Sequence, residues 1–90
     1  MIPFHIVEWD DPSDPAGNVR HIAAHGLSID EVEDVFYSTT ATDGFSRSSG
    51  RPMRFGRTTT GKFIAVVYKV KQGRTLTAIY PVTAYEVDPH

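Results

Sequence analysis

The chain reads as an α+β fold, two helices packed on one face of a small antiparallel sheet, and three observations carry that reading. Two consecutive helical patterns, each with its own start and stop residues, occupy residues 15–37. Three β-type runs separated by short Gly-containing turns occupy most of the chain after residue 52. Ninety residues provide one core and no more, so residues 1–90 form a single domain.

Phe4–Trp9 has the length of a short strand, and Asp10-Asp11-Pro12 ends it. Pro15 suits the first turn of a helix, where its missing N–H costs nothing, with Asp14 as the cap before it. Val19, Ile22 and Ala23 recur at helical spacing, and Gly26 stops the helix in the left-handed position. Ser28 and Glu31 have the spacing of a capping box at the start of a second helix. Its apolar stripe is Ile29, Val32, Val35 and Phe36; Asp30, Glu33 and Asp34 face water. Ser38–Gly50 turns to Ser, Thr, Gly and Asp around Phe45 and reads as a long, mobile loop. Strands occupy Met53–Arg57, Phe63–Val70 and Arg74–Val82, with turns at Thr60-Gly61 and Gln72-Gly73, as an antiparallel meander. Phe63–Val70 is apolar on both faces for most of its length and reads as the central strand. No element is assigned from Val82 to His90, a short polar stretch.

Charge is segregated. Arg47, Arg51, Arg54, Arg57, Lys62, Lys69, Lys71 and Arg74 are eight of the nine Lys and Arg residues, with no Asp or Glu between them. Residues 1–43 carry nine of the eleven carboxylates against Arg20 alone. A clustered basic surface is the electrostatic footprint of a polyanion, so the basic segment is expected to form one continuous surface for RNA. The chain has no cysteine, which excludes disulfides, thiolate metal sites and a cysteine nucleophile. Its longest apolar run, Phe63–Tyr68, is far short of a membrane span, and no signal peptide is recognised. A cytoplasmic protein is the default.

Trp9-Asp10, then Asn18-Val-Arg-His-Ile-Ala-Ala-His-Gly26, then Ser28–Phe36 resemble the amino-terminal half of the BrnT-like toxins. Phe55-Gly56-Arg57, followed by Gly61-Lys62-Phe63 and Val66-Val67-Tyr68, resembles that family's strand–turn–strand unit. The resemblance spans Trp9–Glu86. It implies a fold like that of RelE-type ribonuclease toxins of bacterial type II toxin–antitoxin pairs. It further implies metal-independent, cofactor-free cleavage of RNA and a cognate ribbon-helix-helix antitoxin as partner.

Metal-independent cleavage requires a 2′-hydroxyl aligned on the next phosphate, a proton acceptor, a donor, and cations against the developing charge. Arg57 matches the family's strand arginine and takes the cationic role; His25, at the family's His-Gly step, is a candidate for the proton role, while its place at a helix end before Gly26 equally suits a structural one. Arg47, Arg51, Arg54, Lys62 and Lys69 are the expected phosphate contacts. His21 and His25 share a helical face at i and i+4, but without a third ligand beside them no metal site is expected. Two departures weaken the catalytic reading. Tyr80, the third candidate catalytic residue, stands where relatives carry an arginine near the end of the last strand and can donate a proton but supplies no permanent charge; Ala24 stands where they often carry a lysine. If Tyr80 occupies an arginine's place at the phosphate, Tyr80→Arg should raise cleavage. The alternative is a non-catalytic module on the same fold that binds RNA or a protein; a third reading has the charge dipole dock copies of the chain head to tail.

Overall fold

The computed structural model describes residues 1–88; Pro89 and His90 lie outside it. Seven elements occur in order: β1 (Ile6–Val7), α1 (Asn18–Ala24), α2 (Ile29–Tyr37), β2 (Thr42–Phe45), β3 (Pro52–Arg57), β4 (Phe63–Gln72) and β5 (Thr77–Glu86). The α+β reading holds, with both helices on one face of a five-stranded sheet ordered β1-β5-β4-β3-β2. β3, β4 and β5 form the expected antiparallel meander with β4 at its centre, and β2 extends it by one strand. The sheet is mixed rather than purely antiparallel, because β1 pairs parallel to β5 and forms the far edge.

α1 begins three residues later than its proline predicts. Asp14-Pro15-Ala16-Gly17 is a turn: Ala16 N–H donates to the Asp14 carboxylate at 2.9 Å and Gly17 N–H to the Asp14 carbonyl at 3.0 Å. The acceptor for the helix's first N–H comes from further back, since Asn18 N–H donates to Asp10 Oδ2 at 2.9 Å. Gly17 is required there, because a Cβ would stand 2.8 Å from Asp10 Cβ. The end of α1 is as expected. Gly26 has φ of 78°, its N–H reaches Ala23 O, and Leu27 N–H reaches Ile22 O, a Schellman closure. α2 starts on its capping box, with Ser28 Oγ accepting from Glu31 N–H at 3.2 Å and Glu31 Oε1 accepting from Ser28 N–H at 3.1 Å.

The loop expected over residues 38–50 contains β2, which pairs Thr42–Phe45 with Phe55–Pro52. A four-residue edge strand with one aromatic leaves almost no periodic signal. β5 starts at Thr77 rather than Arg74 and runs on through Glu86. It tolerates Pro81 because the register with β4 breaks beside it, Pro81 pairing with Tyr68 but Thr83 with Val67, so that Val82 bulges out.

Alternation along β4 divides the core. Ile64, Val66 and Tyr68 face the helices and pack with Ile22, Val32, Val35, Phe36 and Ile79. Burying each of the α2 side chains Val32, Val35 and Phe36 contributes about 1.5–3 kcal/mol at most. Ala65 and Val67 face the other way, under Met53, Phe55, Tyr85 and Val87. No helix covers this second, open face. No described helix is long and apolar enough to cross a membrane.

Candidate functional site

Strand alternation decides which cations reach the open face. The β3–β4 register sets Arg57 beside Phe63, Phe55 beside Ala65 and Met53 beside Val67. Lys69 and Lys71 continue the same side of β4, and Lys69 pairs with Tyr80. The open face of β2–β5 therefore carries Arg57 at one end and Lys69 and Lys71 towards the other. Phe55, Phe63 and Tyr85, all half-buried, lie on it too, and none of its described residues is Asp or Glu. The Arg57 guanidinium lies 5.7 Å from the Phe63 ring centre and donates to Gly61 O at 3.2 Å, and the residue is exposed.

The other members of the basic segment go elsewhere, so it does not form one continuous surface. Arg54 points to the helix side and is 9% exposed. Its Nε donates to Val35 O at 2.9 Å, one terminal nitrogen to Ser38 O at 2.8 Å and the other to Asp43 Oδ1 at 2.8 Å. It satisfies carbonyls at the end of α2, with no guanidinium edge left for a phosphate. Lys62 also turns to the helices. Its Nζ donates to Gly26 O at 2.9 Å and pairs at 3.0 Å with Glu31, itself buried. A hydrogen bond from the Thr60 hydroxyl, ahead of those from Lys62 and Ser28, holds the Glu31 carboxyl below its ordinary range despite burial. Arg47 and Arg51 are exposed in the β2–β3 connection and Arg74 in the β4–β5 connection, and none of the three side chains has a polar partner among the described residues.

The three expected catalytic side chains do not converge. His25 follows the last residue of α1; its exposed ring lies 5.3 Å from that of His21, which in turn meets Thr83 Oγ1 at 2.9 Å. Arg57 pairs with Phe63 and Tyr80 with Lys69, so six residues of β4 separate them, about 20 Å at the rise of a strand. Tyr80 is moreover engaged. Its hydroxyl donates to Asp10 Oδ2 at 2.5 Å, and that bond, with burial and the charges of Asp10, Glu8 and Asp14, pushes the phenol up to about 12. Asp10 is lowered by the same bond and by Asn18 N–H. Lys71 lies 4.5 Å and Lys69 5.2 Å from the Tyr80 ring centre, and Lys71 also pairs with Glu8 at 2.6 Å.

Asn18 is the polar residue that sequence reasoning passed over. Only 2% exposed, it donates from Nδ2 to Glu8 O and Pro81 O and accepts from Asp10 N–H, joining β1, α1 and β5. Its sole signal was its place at the head of the His-Gly helix. Trp9 packs against the helix-side core and donates to Glu33 Oε2 at 2.8 Å. Neither a protein-family model nor a curated protein matches this chain.

Proposed function

We propose that this chain is an RNA-binding module of the BrnT-like kind, which holds single-stranded RNA on the open face of its sheet and assembles no cleavage centre. The observation that supports it is the shared placement of Arg57, Lys69 and Lys71 with Phe55, Phe63 and Tyr85 on one face, to which β2–β5 contribute no carboxylate and which Glu8, at Lys71, and Asp10, at Tyr80, reach from outside those strands. Single-strand binding combines these two features: aromatic faces stack bases at about 1–3 kcal/mol each, and cations follow the backbone. Cleavage asks for more, namely donor, acceptor and cation within hydrogen-bond reach of one phosphate. Arg57 and Tyr80 stand too far apart to meet that demand at one phosphate. A cognate ribbon-helix-helix antitoxin belongs to this proposal on the strength of the resemblance alone. The ribonuclease-toxin reading stays as the second, because Arg57 holds the matching strand position and is exposed.

The test is fluorescence anisotropy with a labelled single-stranded RNA, titrated in salt with chelator present, alongside an assay for cleavage. Affinity should fall steeply with salt, and Arg57→Ala or Lys69→Ala with Lys71→Ala should reduce the log–log slope by about 0.7 per lost phosphate contact. Phe55→Ala should weaken binding without changing that slope. Affinity indifferent to salt would overturn the proposal. Cleavage that Arg57→Ala abolishes would move the conclusion to the enzyme.

A further inference from the structure

The outer edge of β2 has no strand beside it among the described residues. Ser46 N–H donates to Arg51 O at 2.8 Å, which fixes the phase of the β2–β3 ladder. Thr42 and Gly44 therefore direct their backbone groups at β3, while Asp43 and Phe45 direct theirs outward, where the sheet has no further strand. Proteins blunt such edges with lysine, proline, a bulge or a covering segment. β2 has no lysine, proline or bulge; its one charge, Asp43, is held by the Met1 ammonium at 2.9 Å and by Arg54 at 2.8 Å, and the strand ends on Phe45, 76% exposed, on the rim of a cleft of about 430 Å³ with Ile2, Pro52, Tyr68 and Val70.

Charge at the two ends of this edge identifies the occupant. Beyond Phe45 stands Arg47, exposed and without a polar partner among the described residues. At the other end Ala41 packs beside Val35, both within 3.3 Å of where a Gly56 Cβ would stand. Asp34 precedes Val35 and shares an outward cleft with Asp30 and Tyr37, next to Thr59. The edge is thus basic at one end and acidic at the other, and a strand laid antiparallel to its own copy brings each basic end to the opposite acidic end.

We infer that two copies of this chain pair β2 to β2 about a two-fold axis at Gly44, forming one continuous ten-stranded sheet. In that register Asp43 of each copy exchanges backbone hydrogen bonds with Phe45 of the other, and Arg47 falls opposite the other copy's Ala41, beside Asp34. The two Phe45 rings are diagonal neighbours on the helix side, within reach of each other. Each contact occurs twice, and the assembly closes; a head-to-tail arrangement would propagate. The inference is independent of the RNA proposal, since β2's outward groups are not the open face.

Sedimentation velocity on the full chain, over a roughly hundredfold range of concentration, should show a monomer–dimer equilibrium. Phe45→Lys should raise the dissociation constant about 30-fold or more, as for a central aromatic contact. Arg47→Asp and Asp34→Arg should each weaken the dimer, whereas an equimolar mixture of the two should recover it as a heterodimer, because both cross-contacts again join opposite charges. Asp34→Arg also removes the acceptor for Thr59, so circular dichroism must show it folded. A second variant needs no such control. The chain lacks cysteine, and Gly44 would meet its copy as a non-hydrogen-bonded pair with Cα atoms about 4.5 Å apart. Gly44→Cys should then cross-link on mild oxidation. Its added Cβ meets only the half-buried Phe55 ring, at 3.3 Å. Thr42→Cys should not cross-link, its copy lying about 13 Å away. A monomer at every concentration overturns the inference. A dimer indifferent to Phe45→Lys, or Thr42→Cys cross-linking as readily as Gly44→Cys, overturns it as well.

Discussion

Arg54→Ala separates a structural cation from a phosphate contact. The substitution removes the partner of two carbonyls, Val35 O and Ser38 O, and of the Asp43 carboxylate. An unpaired buried carbonyl costs about 1–3 kcal/mol. Val35 is buried and takes that penalty in full; Ser38 is half-buried and recovers part of it from water. The Asp43 side chain is 40% exposed, so the ion pair itself adds about 1 kcal/mol or less. The total is about 3–4 kcal/mol, a large share of the roughly 5–13 kcal/mol available to a domain of this size. At about 4–8 °C per kcal/mol, Tm should fall by roughly 12–30 °C. Urea denaturation followed by circular dichroism measures the loss directly. RNA affinity of the folded variant should stay within about twofold of the parent. A stability loss below about 1 kcal/mol, together with weakened RNA binding, would refute the assignment and return Arg54 to the surface.

Four further predictions rest on Glu31, Tyr80 and the acidic face. Glu31 is depressed, so its contribution is complete above its ordinary value of 4.5 and is lost as pH falls through the lower folded value; Glu31→Gln should flatten the acid limb of a stability–pH profile, and an unchanged limb would count against it. Tyr80 is raised, so its contribution is complete below about pH 10 and is lost as pH climbs towards about 12; an absorbance titration of the folded protein should show a late phenol that Tyr80→Phe removes. Because Tyr80 stands about 20 Å along β4 from Arg57, Tyr80→Arg should not raise RNA cleavage, and a clear gain measured with chelator present would mean that the two share a phosphate after all. Asp30→Lys lies on the helix side of the molecule and should leave RNA affinity unchanged or slightly stronger; a marked loss by anisotropy would place RNA on the wrong face.

Elements fixed by contiguous residues were legible in the sequence. The Ser28–Glu31 box, the Gly26 stop, the Gly61 turn and the apolar β4 all appear where the residues place them. Elements whose decisive partner is remote were not. The acceptor for the first N–H of α1 is Asp10, eight residues before Asn18, so the nearer signal of Asp14 and Pro15 misled. β2 exists because β3 offers it an edge, and the last residues of β5 because β4 continues beside them; neither has an apolar pattern of its own. Tyr80 could be recognised as a departure from the resembling family's arginine, but its bond to Asp10 spans seventy residues and leaves no local trace.

The same distinction governs the candidate site. Eight cations without an intervening carboxylate look like a surface when written as a line, yet a β-strand turns successive side chains to opposite faces. Arg54 and Arg57 are three residues apart and therefore on opposite sides of β3, one beneath α2 and the other on the open face. Lys62 sits in the β3–β4 turn, close enough to Glu31 and Gly26 to be drawn to the helices, while Lys69 and Lys71 share a parity with Arg57 and stay with it. The open face thus keeps three cations from β3 and β4 rather than eight, and it gains Phe55, Phe63 and Tyr85 by the same parity. That substitution matters for function. A dense cationic stripe attracts any polyanion, whereas few cations spaced along an aromatic floor favour unpaired bases over a duplex, whose stacked interior offers no ring a free face. A competition between single-stranded and fully paired RNA of equal length should consequently favour the single strand, and equal affinity for the two would mean that charge alone does the binding.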